Sequence, residues 1–318
     1  MKRAPFRVLA VAVVLAAAPA LVGHAAVAGE VHAQTPAQTP APTPTVEVLD
    51  AGKAPLEPLR LAPAAGATQR SAMTVTFAIQ QSGVSSGSVK PPPTKATVET
   101  TLQGVTPEGN LQISFSYPKF EVLKGGEASK SARRRIEQAF AGLAGLSGQL
   151  TITPQGVLVD SALNVPPGID PSVASLVTQL GDQLRTLAIP FPEAAVGVGA
   201  RWRASTDLSL NGIQANQVYE YTLKKRNGSK VELGVRGTQT AGEQAVELPN
   251  VAPGVQLTVQ SYKTTFRGQN TVDLTSLLPV AGEIRSSGNQ AFHIESGSKS
   301  GTLKQHLSVH LVLKPAAR

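Results

Sequence analysis

The sequence predicts an α+β protein built as one curved antiparallel β-sheet with two helices packed on one face. Three observations carry that expectation. Apolar and polar residues alternate over most of the chain, which is the period of a half-buried strand. The alternating runs are separated by turn tetrapeptides suited to hairpins. Two stretches instead space their apolar residues three and four apart, as an amphipathic helix does. About ten strands and two intervening helices require the sheet to bury its apolar face against those helices.

The chain of 318 residues opens with material that does not belong to the fold. Residues 1–28 have a basic start (Lys2, Arg3, Arg7), an apolar run from Val8 to Val22, and the small-residue pattern Ala26-Val27-Ala28. That is the layout of a secretory signal peptide. The apolar run holds about fifteen residues, short of the roughly twenty that a membrane span needs. Val31-His32-Ala33 offers a second cleavage pattern, so the mature chain is expected to start at Gly29 or Gln34. No other stretch is long and apolar enough to span a bilayer as a helix, and an exported, periplasmic or extracellular protein of a bacterial envelope is expected.

Residues 29–58 then read as a Pro/Ala/Thr-rich disordered linker. Six prolines between Gln34 and Pro58 remove backbone donors and favour the extended polyproline conformation. The folded domain is expected over residues 59–314. Its strands include Leu111, Ile113, Phe115 and Tyr117 on one face; Tyr219, Tyr221 and Leu223; Val231, Leu233 and Val235; and a long last run with Leu303, Leu307, Val309, Leu311 and Leu313 opposite Lys304, His306, Ser308 and His310. Thr106-Pro107-Glu108-Gly109 and Thr153-Pro154-Gln155-Gly156 place Pro and Gly where a type I turn prefers them. Asn227-Gly228 suits a two-residue hairpin turn. Between Val255 and Phe266 the apolar parity changes, from Val255, Leu257 and Val259 to Tyr262 and Phe266, which predicts a bulge near Gln260.

The first predicted helix covers about residues 131–146, with Ile136, Phe140 and Leu143 as its apolar stripe. The second covers residues 170–188. Asp170 can cap it, Pro171 suits its first turn, and Val173, Leu176, Val177, Leu180, Leu184 and Leu187 share one face before Pro190 stops it.

Leu59-Arg60-Leu61 before the turn at Ala65-Gly66-Ala67, and the stretch from Pro190 through Val196-Gly197-Val198-Gly199-Ala200-Arg201-Trp202, resemble an uncharacterised family of secreted bacterial proteins. The overall pattern also resembles the half-barrel lipoprotein carriers of the Lol type, which wrap a curved sheet around helices. That resemblance implies a half-barrel meander and an apolar groove for acyl chains. It supplies no catalytic residues, and the absence of cysteine departs from a lipid-anchored relative.

Composition narrows the chemistry further. Apolar residues make up 41% of the chain and charged residues 16%, enough apolar surface to build a core. Without cysteine there are no disulfides, thiolate metal sites or thiol nucleophiles. The formal net charge of +8 falls to +5 once Lys2, Arg3 and Arg7 are removed, and the remaining positive charge is spread along the chain, unlike a nucleic-acid binder. His306 and His310 share a strand face but stand roughly 13 Å apart along it, too far to hold one ion. Ser296-Gly297-Ser298-Lys299 matches Ser-x-x-Lys but sits in a turn-like stretch rather than at a helix start, and Gly197-Val198-Gly199 lacks the third glycine of a dinucleotide loop. No catalytic, cofactor or metal site is therefore expected, and Trp202 is read as a core anchor.

Two candidate sites remain. Lys130, Arg133, Arg134 and Arg135 form a basic patch at the start of the first helix that could meet an anionic envelope surface. Leu176, Leu180 and Leu184 on the second helix could face the sheet across an apolar groove and hold a lipid-like ligand. The expected activity is binding or scaffolding without catalysis. A hydrolase whose acidic site assembles from residues distant in sequence is the alternative.

Overall fold

Alternation dominates the molecule even more than expected. In a computed structural model that describes residues 43–164, 189–210, 212–246 and 254–316, these residues form sixteen strands and a single helix. In chain order they are β1 (Thr45–Asp50), β2 (Lys53–Glu57), β3 (Thr68–Gly83), β4 (Gly87–Val89), β5 (Thr94–Val105), β6 (Leu111–Val122), α1 (Lys130–Ala141), β7 (Ser147–Ile152), β8 (Leu158–Asn164), β9 (Val196–Val198), β10 (Arg201–Leu210), β11 (Ile213–Asn227), β12 (Lys230–Ala241), β13 (Gln244–Val246), β14 (Val255–Asp273), β15 (Ala281–Ser296) and β16 (Lys299–Pro315). All but β2 and β9 belong to one 14-stranded antiparallel sheet with the path β1-β10-β11-β12-β14-β15-β16-β3-β5-β6-β7-β8, while β4 pairs with β3 and β13 with β14.

This overturns the expected α+β half-barrel wrapped around two helices. The described part is mostly antiparallel sheet with one short helix. The second expected helix, residues 170–188 with Leu176, Leu180 and Leu184, lies outside the described residues. Strands were undercounted because several carry long polar runs. β15, for example, contains Arg285-Ser286-Ser287-Gly288-Asn289-Gln290, where small and amide side chains occupy both faces and hide the alternation.

The expected linker is also too long. Its second half forms β1, which pairs with β10, and β2, which pairs with β9. Both strands are largely exposed. Backbone pairing holds them, helped in β1 by Val46, which packs against the core around Trp202. Gly197 serves that pairing, since a Cβ there would run into the backbone carbonyl of Lys53.

Turn chemistry places the hairpins as predicted. Thr106-Gly109 closes β5 onto β6 with Gly109 N–H donating to the Thr106 carbonyl at 2.9 Å, and Thr153-Gly156 closes β7 onto β8 through the equivalent 2.8 Å bond. Asn227-Gly228 joins β11 to β12. The bulge occurs between Val259 and Ser261, so Val259 and Tyr262 are both buried on one face although they are three positions apart. The helix α1 starts at Ser129, whose hydroxyl accepts from Ala132 N–H at 3.2 Å, and it ends at Gly142. Its Ile136 and Phe140 are buried over Phe115 and Tyr117, and Leu143 and Leu146 extend the same cluster past its end.

The two ends of the sheet path meet at one plug. Leu61 N–H donates to the Pro154 carbonyl in the β7–β8 turn, and Phe191 N–H donates to the Gln155 carbonyl in the same turn, each at 2.7 Å. The neighbouring Pro190 carbonyl accepts from Trp202 Nε1 on β10 at 2.9 Å. Strands from opposite ends of the path are thus bridged through the consecutive residues Pro190 and Phe191, and the sheet must curl to allow it, as large twisted sheets do. Arg60 ties the two plug segments together by donating to the carbonyls of Pro192 and Glu193. Leu59, Ile189, Phe191 and Trp202 make the plug core with Tyr221, Leu223, Val231 and Leu233.

Candidate functional site

Curling gives the sheet an inner face, on which side chains from the long strands are buried, and an outer face, on which most are exposed. The inner face is apolar at the plug end, where Tyr221, Leu223, Leu233 and Val235 lie, and again toward the opposite end, where Ile213, Val246, Leu257, Val259, Phe292 and Leu303 cluster. Between them runs a belt of uncharged polar side chains. Gln217 on β11 is opposite Gln239 on β12, Gln239 is opposite Thr264 on β14, Tyr262 is opposite Gln290 on β15, Gln290 is opposite Gln305 on β16, and Gln305 is opposite Gln81 on β3. Six adjacent strands at about 4.8 Å per step make the belt roughly 24 Å wide. Apart from the half-buried Gln81, all of these side chains are buried.

One end of the belt is closed on itself. Gln239 Nε2 donates to Gln217 Oε1 at 3.1 Å, and the Tyr262 hydroxyl donates to Gln239 Oε1 at 2.6 Å. Burial pushes the Tyr262 phenol up to about 12, outweighing the lowering influence of the Thr264 hydroxyl, and burial also raises Tyr219 and Tyr221. Further along the belt one donor is unmade. Gln305 Nε2 is buried without a hydrogen-bond partner among the described residues. Gly288, opposite Thr264 and Leu307, makes room for the Thr264 hydroxyl, which fills the space that a Cβ would take. Leaving a buried donor unmade costs about 1–3 kcal/mol, so such a group in a native fold calls for an explanation. By contrast, Gln69 near the plug is fully used, its Oε1 accepting from Leu277 and Leu278 N–H groups and its Nε2 donating to the Leu278 carbonyl.

Of the sequence-predicted sites, Leu176, Leu180 and Leu184 lie outside the described residues. The basic patch divides. Arg133 is a fold residue, donating to the carbonyls of Val122 and Leu123 at 2.7 and 2.9 Å and pairing with Glu137. Lys130, Arg134 and Arg135 are exposed on the outside of α1. His306 and His310 are engaged separately, with Asn289 and with Glu283. Ser296 and Lys299 flank the β15–β16 turn. Trp202 is fully buried and stacked on Tyr221 with ring centroids 5.4 Å apart.

The belt was not anticipated, yet it left a sign in the sequence. Gln217, Gln239, Gln290 and Gln305 stand at apolar parity within their strands, as in Leu303-x-Gln305-x-Leu307. A glutamine in that phase must be buried, whereas one in the opposite phase is solvated.

No protein-family model matches the chain, and no curated protein matches it. Among the described residues no helix is long and apolar enough to cross a membrane, and no three His, Asp or Glu side chains gather where they could hold a metal ion.

Proposed function

We propose that this is an exported, non-catalytic binding protein of the bacterial envelope that takes an amphiphilic, uncharged ligand against the inner face of its sheet. The observation that carries the reading is Gln305, a buried amide with an unmade donor in a row flanked on both sides by apolar side chains. Such a row suits a molecule with an apolar body and a neutral acceptor oxygen, for instance an ester, because the acceptor would satisfy Nε2 while the body covers the apolar flanks. A charged group is disfavoured there. The belt holds only amides, a hydroxyl and a phenol that burial keeps neutral, so an ion would be desolvated without a counter-charge.

The test is titration with the neutral fluorescent probe N-phenylnaphthylamine, followed by competition with monoacylglycerol. Saturable enhancement displaced by monoacylglycerol, and not by the free fatty acid at equal concentration, supports the reading. An unchanged probe signal would overturn it.

A further inference from the structure

A single cross-strand row runs over the outer face at the level of Arg236. In register it reads Glu47 on β1, Arg203 on β10, Glu220 on β11, Arg236 on β12, Arg267 on β14, Arg285 on β15 and His310 on β16. Its first half alternates in sign and is paired, Arg203 bridging Glu47 and Glu220 at 3.5 and 3.0 Å. Its second half abandons the alternation. Three arginines stand directly opposite one another on adjacent strands, an arrangement that like-charge repulsion disfavours.

The nearby carboxylates do not neutralise the centre of this run. Glu220 is engaged by Arg203, Glu232 by Lys225, and Glu283 by Arg285 and His310. Arg236 and Arg267 are exposed, and neither makes an ion pair among the described residues. The adjoining row is made of hydroxyls: Thr238, Thr265, Ser287 and Ser308 lie opposite one another across the same strands. The next row adds Lys263, Asn289 and His306.

We propose that this stripe binds a linear acidic polysaccharide laid across β12, β14, β15 and β16. Guanidinium groups repeating at the strand spacing of about 4.8 Å suit successive anionic groups along an extended polymer. The parallel line of hydroxyls suits the polymer's own hydroxyls. A membrane surface fits less well, because among the described residues the exposed large apolar side chains are Val48, Leu56, Val89, Val105, Val159 and Val198, and none lies on these four strands. This surface is on the opposite face from the inner belt and does not depend on it.

The experiment is isothermal titration of the full chain with polygalacturonate at low salt, with dextran as the uncharged polymer and vesicles of phosphatidylglycerol and phosphatidylcholine as the membrane. Wild type is expected to bind polygalacturonate with an affinity that falls steeply with added salt, and to ignore dextran. The double variant Arg236→Gln, Arg267→Gln should bind at least tenfold more weakly while keeping its circular dichroism and an equal or higher melting temperature, since repulsion is relieved. A triple variant Lys130→Ser, Arg134→Ser, Arg135→Ser on α1 should bind as wild type does. Equal binding by the double variant, equal loss in the triple variant, or vesicle binding without polygalacturonate binding would each overturn the proposal.

Discussion

Two glutamines of the inner belt should respond to the same substitution with opposite signs. Gln305→Leu replaces a buried side chain whose Nε2 has no partner with an apolar one of similar volume. The cost of the unmade donor, about 1–3 kcal/mol, is then removed, and the ligand-free protein should gain about 1–2 kcal/mol after allowance for imperfect repacking. Gln239→Leu deletes the partner of both Gln217 and the Tyr262 hydroxyl. Two buried groups are orphaned, and the loss should be about 2–4 kcal/mol. For a chain of this size each kcal/mol moves the melting temperature by about 2–4 °C, so calorimetry on delipidated protein separates the two variants clearly. A loss of more than about 1 kcal/mol in Gln305→Leu would refute the reasoning, because it would mean that the amide is part of the fold's own hydrogen bonding.

Three further outcomes follow from the packing and the charges. Trp202→Ala should cost about 3–5 kcal/mol by denaturant titration, since it empties a fully buried site and frees the Pro190 carbonyl, whereas Trp202→Phe should cost distinctly less. All four tyrosines have their pKa raised by burial, to about 12 for Tyr117 and Tyr262 and further for the other two. The folded values lie above the ordinary value of 10, so their contribution is intact below pH 10 and is lost as pH rises toward about 12. Tyrosinate absorbance should therefore appear together with alkaline unfolding, and a separate titration near pH 10 in the native state would contradict it. Arg133→Ala should destabilise by about 1–2 kcal/mol through its bonds to the Val122 and Leu123 carbonyls. Arg135→Ala should fall within about 0.5 kcal/mol of wild type by the same denaturant titration, because its side chain is exposed.

What could be read from the sequence was local. The Thr-Pro-x-Gly turns, Asn227-Gly228, the bulge at Gln260 and the start of the first helix each rest on residues that act within a few positions and stand where expected, whereas the helix stops at Ala141, ahead of Gly142 and five residues short of its expected end. Long-range pairing was harder to read. β1 and β2 are stabilised by strands more than a hundred residues away, and the short Val46-Glu47-Val48 alternation of β1 sits in a Pro/Ala/Thr-rich stretch that masks it. The plug is similar, since Arg60 and Leu61 reach partners around 190 and 154 that no spacing rule connects. The belt and the arginine row depend on register across many strands. Each glutamine or arginine looks ordinary in its own strand, and the row exists only once the strands are aligned.

The inner belt is proposed to hold an uncharged amphiphile. Native mass spectrometry of the protein isolated from its own envelope without detergent exchange tests it most directly. Wild type should carry a noncovalent mass that is released on denaturation and is neutral on extraction. Gln305→Leu, folded and at least as stable, should carry much less of it. A bare wild-type mass, or equal loading of wild type and Gln305→Leu, would contradict the assignment of Gln305 as the group that selects the ligand.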